Sequence, residues 1–331
     1  MLNFDRHYEF EFFSVTPGFD DSGNPLPNGN QLVYDSPSIK ISDTLNFSFD
    51  YNMMPGAFNT GKFFLYNISE KTLSLFASKN SRRGFFLRCA YGSKDNLLNN
   101  LIFRGLTNRV NNYRIGPDLI TEIDASDVFF NLLQAKIKTL NFPTGTDSAT
   151  ILKGISNYLG VFSAIDGIDY LVKKVYTHPI AYSNVSIPQI LDQITADGAC
   201  TWGSDMQGIK IIPLPNNPLK QLEEGADNGG VITAGGNVLS AKTGLVGNVR
   251  AETLSVQTFP VDYYTQQRLK NNHPFVTATV LMRPFHLRQI VNLQSEISAL
   301  NGKYYVFSVH YSGEYRGNNW YANLKLQPVN S

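Results

Sequence analysis

From Tyr8 to Ile123 the chain alternates apolar and polar side chains in short runs punctuated by Gly, Pro and Asn, and this period of two restricts the fold most. Tyr8, Phe10 and Phe12 alternate with Glu9 and Glu11 ahead of a Pro17-Gly18 break. Ile39, Ile41, Leu45, Phe47 and Phe49 keep the same rhythm. Gly61–Ile68, Gly84–Tyr91, Leu101–Leu106 and Leu119–Ile123 add short runs between turn residues. An apolar residue at every second position is what a half-buried strand requires. Residues 8–123 are therefore expected to be β throughout, a small barrel or sandwich. Asp20–Asn30 holds four Gly/Pro residues and an Asn28-Gly29 step, and is expected as a hairpin or loop.

The period then changes. Lys136–Phe142 reads as a strand, and Pro143-Thr144-Gly145 as a turn. Ile151, Leu152, Ile155, Tyr158 and Leu159 recur at helical spacing, with Thr146–Ser148 placed to cap the helix and Gly160 to stop it. A second unit echoes the first. Ser186 precedes Pro188, then Ile190, Leu191 and Ile194 repeat at helical spacing up to Gly198. Trp202 and Gly208–Leu214 follow as a hairpin, and Asn216–Gly236 is expected as a linker or long loop. The β signature returns in Thr253–Phe259, Phe275–Met282, Gln289–Leu293, Lys303–Tyr311 and Trp320–Leu326, with a turn over Gly313–Asn319. The fold class expected is α+β, mainly β. Its boundaries are a β domain at 1–125, small α/β modules at 126–172 and 173–215, a linker at 216–236 and a second β domain at 237–331. A length of 331 residues agrees with several folding units at roughly 150 residues each.

Composition excludes several functions. Charged residues are 17% and the net charge is +1, so no global field draws the chain to nucleic acid or anionic membrane. A surface this poor in charge suits a subunit that buries itself against neighbours. No run of about 18 apolar residues marks a membrane helix. Asp5, Glu9 and Glu11 stand where a signal peptide needs a cationic start. A cytoplasmic origin is expected on that ground, which makes the Asn-x-Ser triplets at Asn46, Asn67 and Asn184 chance matches. Cys89 and Cys200, the two cysteines, read as small buried hydrophobes.

The motifs that resemble chemistry all fall short of it. Gly56–Lys62 spells most of a phosphate-binding loop, but Phe63 replaces the Ser or Thr that holds magnesium, and a strand follows where a helix is needed. Asp20, Ser22 and Asn24 begin like a calcium loop, yet Pro25 and Gln31 occupy its Gly and acidic positions. His7, His178, His273, His286 and His310 show no metal-ligand spacing. Glu314 lies in a turn with no partner for a glycosidase pair. No catalytic, cofactor-binding or metal-binding residue is therefore assigned. Charge is segregated: residues 79–114 carry eight basic residues (Lys79, Arg82, Arg83, Arg88, Lys94, Arg104, Arg109, Arg114) against Asp95, while residues 1–60 carry eight acids against Arg6 and Lys40. Cross-strand pairing accounts for this; the alternatives are a two-faced subunit with acidic and basic contact surfaces and, third, nucleic-acid binding.

The order of several short motifs resembles the baseplate (tail) hub proteins of contractile-tailed bacteriophages. The motifs are Ile39–Phe49, Gly61–Ile68 with its Tyr-Asn step, Phe85–Gly92, Ile102–Gly105, Phe142–Gly145 before Ile151–Leu159, Ile187–Leu191, Trp202, Ile209–Pro213, Gly302–Gly317 and Trp320–Leu326. The resemblance implies two tube-like β barrels flanking the mixed middle. It implies a homotrimer that joins a six-fold tail tube to a three-fold spike around a channel for DNA and tape measure. The partners implied are the tail tube or tube-initiator protein, the central spike protein, the tape measure protein and baseplate wedge proteins, with DNA only in transit and no membrane anchor. No enzymatic role or cofactor is implied, and the location is the virion tail, assembled in the host cytoplasm. The alternatives are a tail-associated carbohydrate-binding or carbohydrate-cleaving β protein and the spike-base protein of a phage-like injection system. An ordinary enzyme with an unrecognised site is a further alternative.

Overall fold

The structure is a computed structural model describing residues 6–15, 34–43, 45–77, 83–91, 94–127, 136–159, 165–214, 217, 231–233, 253–259, 275–294 and 302–329. Its first part contains β1 (Arg6–Val15), β2 (Tyr34–Ser42), β3 (Phe47–Met53), β4 (Thr60–Tyr66), α1 (Glu70–Ala77), β5 (Arg83–Tyr91), β6 (Leu101–Ile115) and β7 (Asp118–Asp127). Two expectations need correction here. Ile39–Phe49 is not one strand: the chain breaks at Asp43, which sits at a positive φ of 43°. Its carboxylate accepts the Tyr8 backbone N–H at 2.9 Å and meets His7 Nδ1 at 3.1 Å and Lys94 Nζ at 3.0 Å, bonds that offset the cost of the left-handed turn. Nor is the stretch β throughout, since α1 interrupts it. Ser69 Oγ accepts the Thr72 N–H at 3.3 Å, a serine start signal for this eight-residue helix.

The middle consists of β8 (Lys136–Phe142), α2 (Ser148–Leu159), β9 (Ile165–Asp166), β10 (Ile180–Ser186), α3 (Ile187–Asp197), β11 (Cys200–Asp205) and β12 (Gly208–Pro213). Asp147 caps α2, its Oδ1 accepting the Thr150 N–H at 2.8 Å. Gln189 Oε1 reaches back to the Ser186 N–H at 3.2 Å and the Ser186 hydroxyl at 2.9 Å to start α3, and Gly198 ends it. Strands of the two helix-bearing stretches pair with one another: β8 with β10, antiparallel, and β9 with β12, parallel. Ile151, Leu152 and Ile155 of α2 then share one core with Ile190, Leu191 and Ile194 of α3 and with Trp202. Asn217, inside the stretch read as linker, is buried, and its amide donates to the Tyr170 carbonyl at 2.8 Å.

The last part holds β13 (Val231–Thr233), β14 (Thr253–Phe259), β15 (Phe275–Leu281), β16 (Ile290–Gln294), β17 (Gly302–Glu314) and β18 (Trp320–Pro328). β13 also falls in the expected linker; it pairs in parallel with β16. The expected loop at 20–30 lies outside the described residues, as does most of 216–236. The two β parts form one 13-stranded sheet in the order β14-β15-β18-β17-β3-β4-β7-β6-β5-β1-β2, with β16 on β17 and β13 on β16. Among the described residues no pairing closes either part on itself. One large apolar core draws on both parts, because alternate residues of strands such as β1, β3, β5 and β18 face the same way. Its aromatic rings touch edge to face, as in Phe63–Phe85 at 4.9 Å and, across the two parts, Phe47–Trp320 at 6.0 Å.

Candidate assembly surface

The join between the two β parts is the pairing of β3 with β17. Tyr51 lies opposite Tyr311 with rings stacked at 5.9 Å, and His310 Nε2 meets the Asp50 carboxylate of the facing strand at 2.7 Å. Arg6, at the start of β1, donates from Nη1 to the carbonyls of Glu314 (2.7 Å) and Gly317 (2.8 Å), and its guanidinium covers the Trp320 ring. The Tyr315 hydroxyl donates to the Asp43 carbonyl at 3.1 Å. Arg6 and Asp43 of the first part are thus tied to residues 314–320 of the last in one seam. Burial drives the Tyr311 hydroxyl far above its ordinary value, so it stays protonated; it accepts the Phe285 N–H at 2.8 Å.

The middle body docks on the sheet through buried polar groups. The Asn59 amide donates to the Ser204 carbonyl, and the Ser204 hydroxyl donates to Asp127 Oδ2 at 2.5 Å. The Gly56 N–H donates to the Trp202 carbonyl at 2.6 Å. At the edge of this junction Lys210 and Arg288 share Asp166 Oδ2, at 2.9 and 2.7 Å. Partial burial pushes the Asp166 carboxyl up, and these two cations outweigh it and hold the group below its ordinary value. Arg283 is buried against the Phe285 ring at 4.6 Å, and desolvation lowers it to about 10.

The segregated charges are spent across strands. Glu9 lies opposite Arg88, Glu11 opposite Lys40 and Lys62 opposite Asp124. Arg88 Nη1 lies 2.8 Å from Glu9 and 3.0 Å from Glu11, while Lys62 Nζ lies 3.3 Å from Glu122. The pairs made by the exposed lysines contribute little each, whereas Arg88, Glu9 and Glu11 are largely covered, at 15–16% side-chain exposure; together they remove the two-faced surface for these residues. Arg109 and Arg114 stay exposed on β6, whose outer end also bares Tyr113 (37%) and Ile115 (61%). Lys79 and Arg82 lie outside the described residues.

The decoys resolve in the same way. Gly56–Lys62 is a turn feeding β4, and Lys62 faces acids rather than a helix N-terminus. Glu314 folds back on its own turn, accepting the Asn318 N–H at 3.2 Å and the Asn319 amide at 3.3 Å. His7, His286 and His310 each face one aspartate, His178 is exposed, and His273 lies outside the described residues. Cys89 and Cys200 are free and buried, and burial pushes the Cys200 thiol up to about 12. Trp202 and Trp320 are each 1% exposed and offer no sugar platform. Among the described residues no group of three His, Cys, Asp or Glu could hold a metal, and no helix is long and apolar enough to cross a membrane. A groove of about 450 Å³ on the solvent face of β3, β15, β17 and β18 is lined by amides and hydroxyls, among them Asn52, Thr279, Ser308 and Asn323, with His310 and Lys325. The sequence reading missed the seam itself, for which no local signal exists.

No protein-family model and no curated protein matches the chain. Solved structures do. Over 97% of its length the chain superposes on 97% of the 43 kDa tail protein of prophage MuSo2 from Shewanella oneidensis (TM-score 0.56, 9% identity). It matches the tail protein from Neisseria meningitidis MC58 over 97% of this chain and 96% of that one (TM-score 0.52, 8% identity). It also matches the E. coli c3393 protein, a type VI secretion system component with structural similarity to the T4 bacteriophage tail proteins gp27 and gp5, over 86% of this chain and 73% of that one (TM-score 0.50, 7% identity). At these identities the likeness is one of fold. The chain has the mainly β fold of phage tail proteins.

Proposed function

We propose that the chain is the structural hub of a phage tail. The observation that carries this reading is a four-strand order that occurs twice in one chain. β3-β4-β7-β6 in the first part is matched by β14-β15-β18-β17 in the second, each ending in a hairpin. Two similar β units per subunit, each a tube-like barrel, let three copies present six similar surfaces. A three-fold spike then meets a six-fold tail tube without unequal contacts. The trimer encloses a channel for DNA and tape measure protein, and binds the tube or its initiator on one side, the central spike on the other and wedge proteins outside. Its place is the virion tail, with assembly in the host cytoplasm, and its role is not enzymatic. The division into β units at 1–125 and 237–331, with the two α/β modules at 126–172 and 173–215 and a linker at 216–236, belongs to this proposal.

The likeness to a type VI secretion component favours one second reading, the spike-base protein of an injection system. The carbohydrate reading loses its platform, since both tryptophans are buried. The test is light scattering over a concentration series, with negative-stain images of the main peak. A trimer with a central hole supports the hub. A strict monomer at every concentration, with spike protein added as well as without it, refutes it. Capture of tail tube by the trimer separates the hub from the spike-base reading.

A further inference from the structure

The two four-strand units correspond in detail. The first strand of each hairpin carries a one-residue bulge: in β6 between Thr107 and Arg109, opposite Ala125 and Asp124, and in β17 between Val306 and Ser308, opposite Leu326 and Lys325. Before the bulge each strand holds another on its outer edge, β5 on β6 and β16 on β17, both antiparallel. Beyond the bulge they part. Val309–Glu314 of β17 pairs with β3. Among the described residues, Arg109–Ile115 of β6 has no strand on the same edge, and β14, the counterpart of β3, has none on its outer edge. Exposure follows this difference. Tyr311 and Gly313 are buried beside the in-chain seam, whereas their counterparts Asn112 and Arg114 are exposed.

We propose that the distal half of β6 pairs antiparallel with β14 of a second copy, so that the seam within the chain is repeated between chains. The proposal rests on the multi-copy reading above and adds the edges and their register. Setting the bulge residue Asn108 on Phe307 carries Tyr311 onto Asn112, and the pairings of β15 and β4 carry Tyr51 onto Thr258. Tyr311 lies opposite Tyr51, Ser312 opposite Asp50 and Gly313 opposite Phe49. Asn112 therefore faces Thr258 of the next copy, Tyr113 faces Gln257 and Arg114 faces Val256. The two edges are different surfaces, so the contact is head-to-tail and closes into a ring instead of a two-fold dimer.

Cysteine pairing across copies tests this register. Asn112→Cys chains mixed with Thr258→Cys chains and oxidised should give a two-chain band without reductant, while neither variant alone does. Only one of two successive pairs in an antiparallel ladder has good disulfide geometry, so Tyr113→Cys with Gln257→Cys samples the other class. A chain carrying both Asn112→Cys and Thr258→Cys should run up to a three-chain species. On the unmutated protein, amide exchange at Arg109–Ile115 should slow as concentration drives assembly. A trimer in which neither pair cross-links and these amides stay unprotected overturns the seam but leaves the hub reading standing. Equal cross-linking by the shifted pair Asn112→Cys with Val256→Cys overturns the register. A monomer at every concentration, with spike protein added as well as without it, overturns both the seam and the hub reading.

Discussion

If the two β parts share one core, a cavity cut in the first must weaken the second. Phe63 is the place to cut. It is fully buried, and its ring lies 4.8 Å from Phe103, 4.9 Å from Phe85, 5.9 Å from Phe49 and 6.3 Å from Phe10. Phe63→Ala should cost about 4 kcal/mol, the middle of the usual range for a buried Phe, because ring contacts on several sides cannot all collapse into the space. Trp320 reports from the second part, touching Phe47 edge to face across the join. In a Trp202→Phe background its fluorescence isolates that part. With a guanidinium slope of roughly 5 kcal/mol/M, the Trp320 transition should move down by roughly 0.8 M, together with far-UV ellipticity. A Trp320 transition that stays put while ellipticity splits into two steps would show that the parts fold on separate cores, and would refute the reasoning.

Tyr311→Phe should destabilise by about 1–2 kcal/mol in the same denaturant assay, since it strips the acceptor from the buried Phe285 N–H. Gly313→Val should cost about 1–3 kcal/mol, because a Cβ there would overlap the Phe49 ring. Asp147→Ala removes the α2 cap and should cost about 1 kcal/mol near neutral pH. The Thr150 N–H holds the Asp147 carboxyl below its ordinary 3.8. That contribution is therefore complete above the unfolded value and fades as pH falls through the lower folded one, so the variant and parent should converge in acid. Both cysteine thiols should resist an aromatic disulfide reagent in the native protein and react fully in denaturant, because Cys89 and Cys200 are buried and burial pushes both up.

What the sequence could disclose was whatever depends on near neighbours. The Ser186 and Pro188 signal at the start of α3 and the alternation of β1 are written within a few residues, and the structure places them there. Asp43 shows the limit. Nothing beside it announces a strand break; the residues that stabilise its left-handed turn are His7, Tyr8 and Lys94, far along the chain. The charge segregation had several readings until the register put Arg88 across from Glu9. The β3·β17 seam was illegible for the same reason, because a period of two shows which face of a strand is buried and not which strand lies beside it. The helix α1 escaped because eight residues give barely two turns of pattern.

The edges of the sheet bear on whether a solitary subunit is its working form. An open sheet leaves unpaired backbone groups at its rims, and chains that live alone blunt such rims with proline, charge or a bulge that twists them away. β2 does so: its sequence contains Pro37 and Lys40, and its outer edge has no partner among the described residues. β14, with the sequence TLSVQTF, contains neither proline nor charge. Distal β6 lacks proline too, and exposes Tyr113 and Ile115 beside Arg109 and Arg114. Proline and charge are thus both present in β2 and both absent from β14, while distal β6 keeps two exposed arginines beyond its bulge. The bare β14 rim is expected if that rim is meant to be covered, and it makes a sharp demand. Lysine placed at Thr258, a residue of the rim strand β14 set to face Asn112 of the next copy, should abolish the proposed trimer in light scattering while the monomer still unfolds cooperatively. A charged β14 that still assembles would mean that the rim is never used.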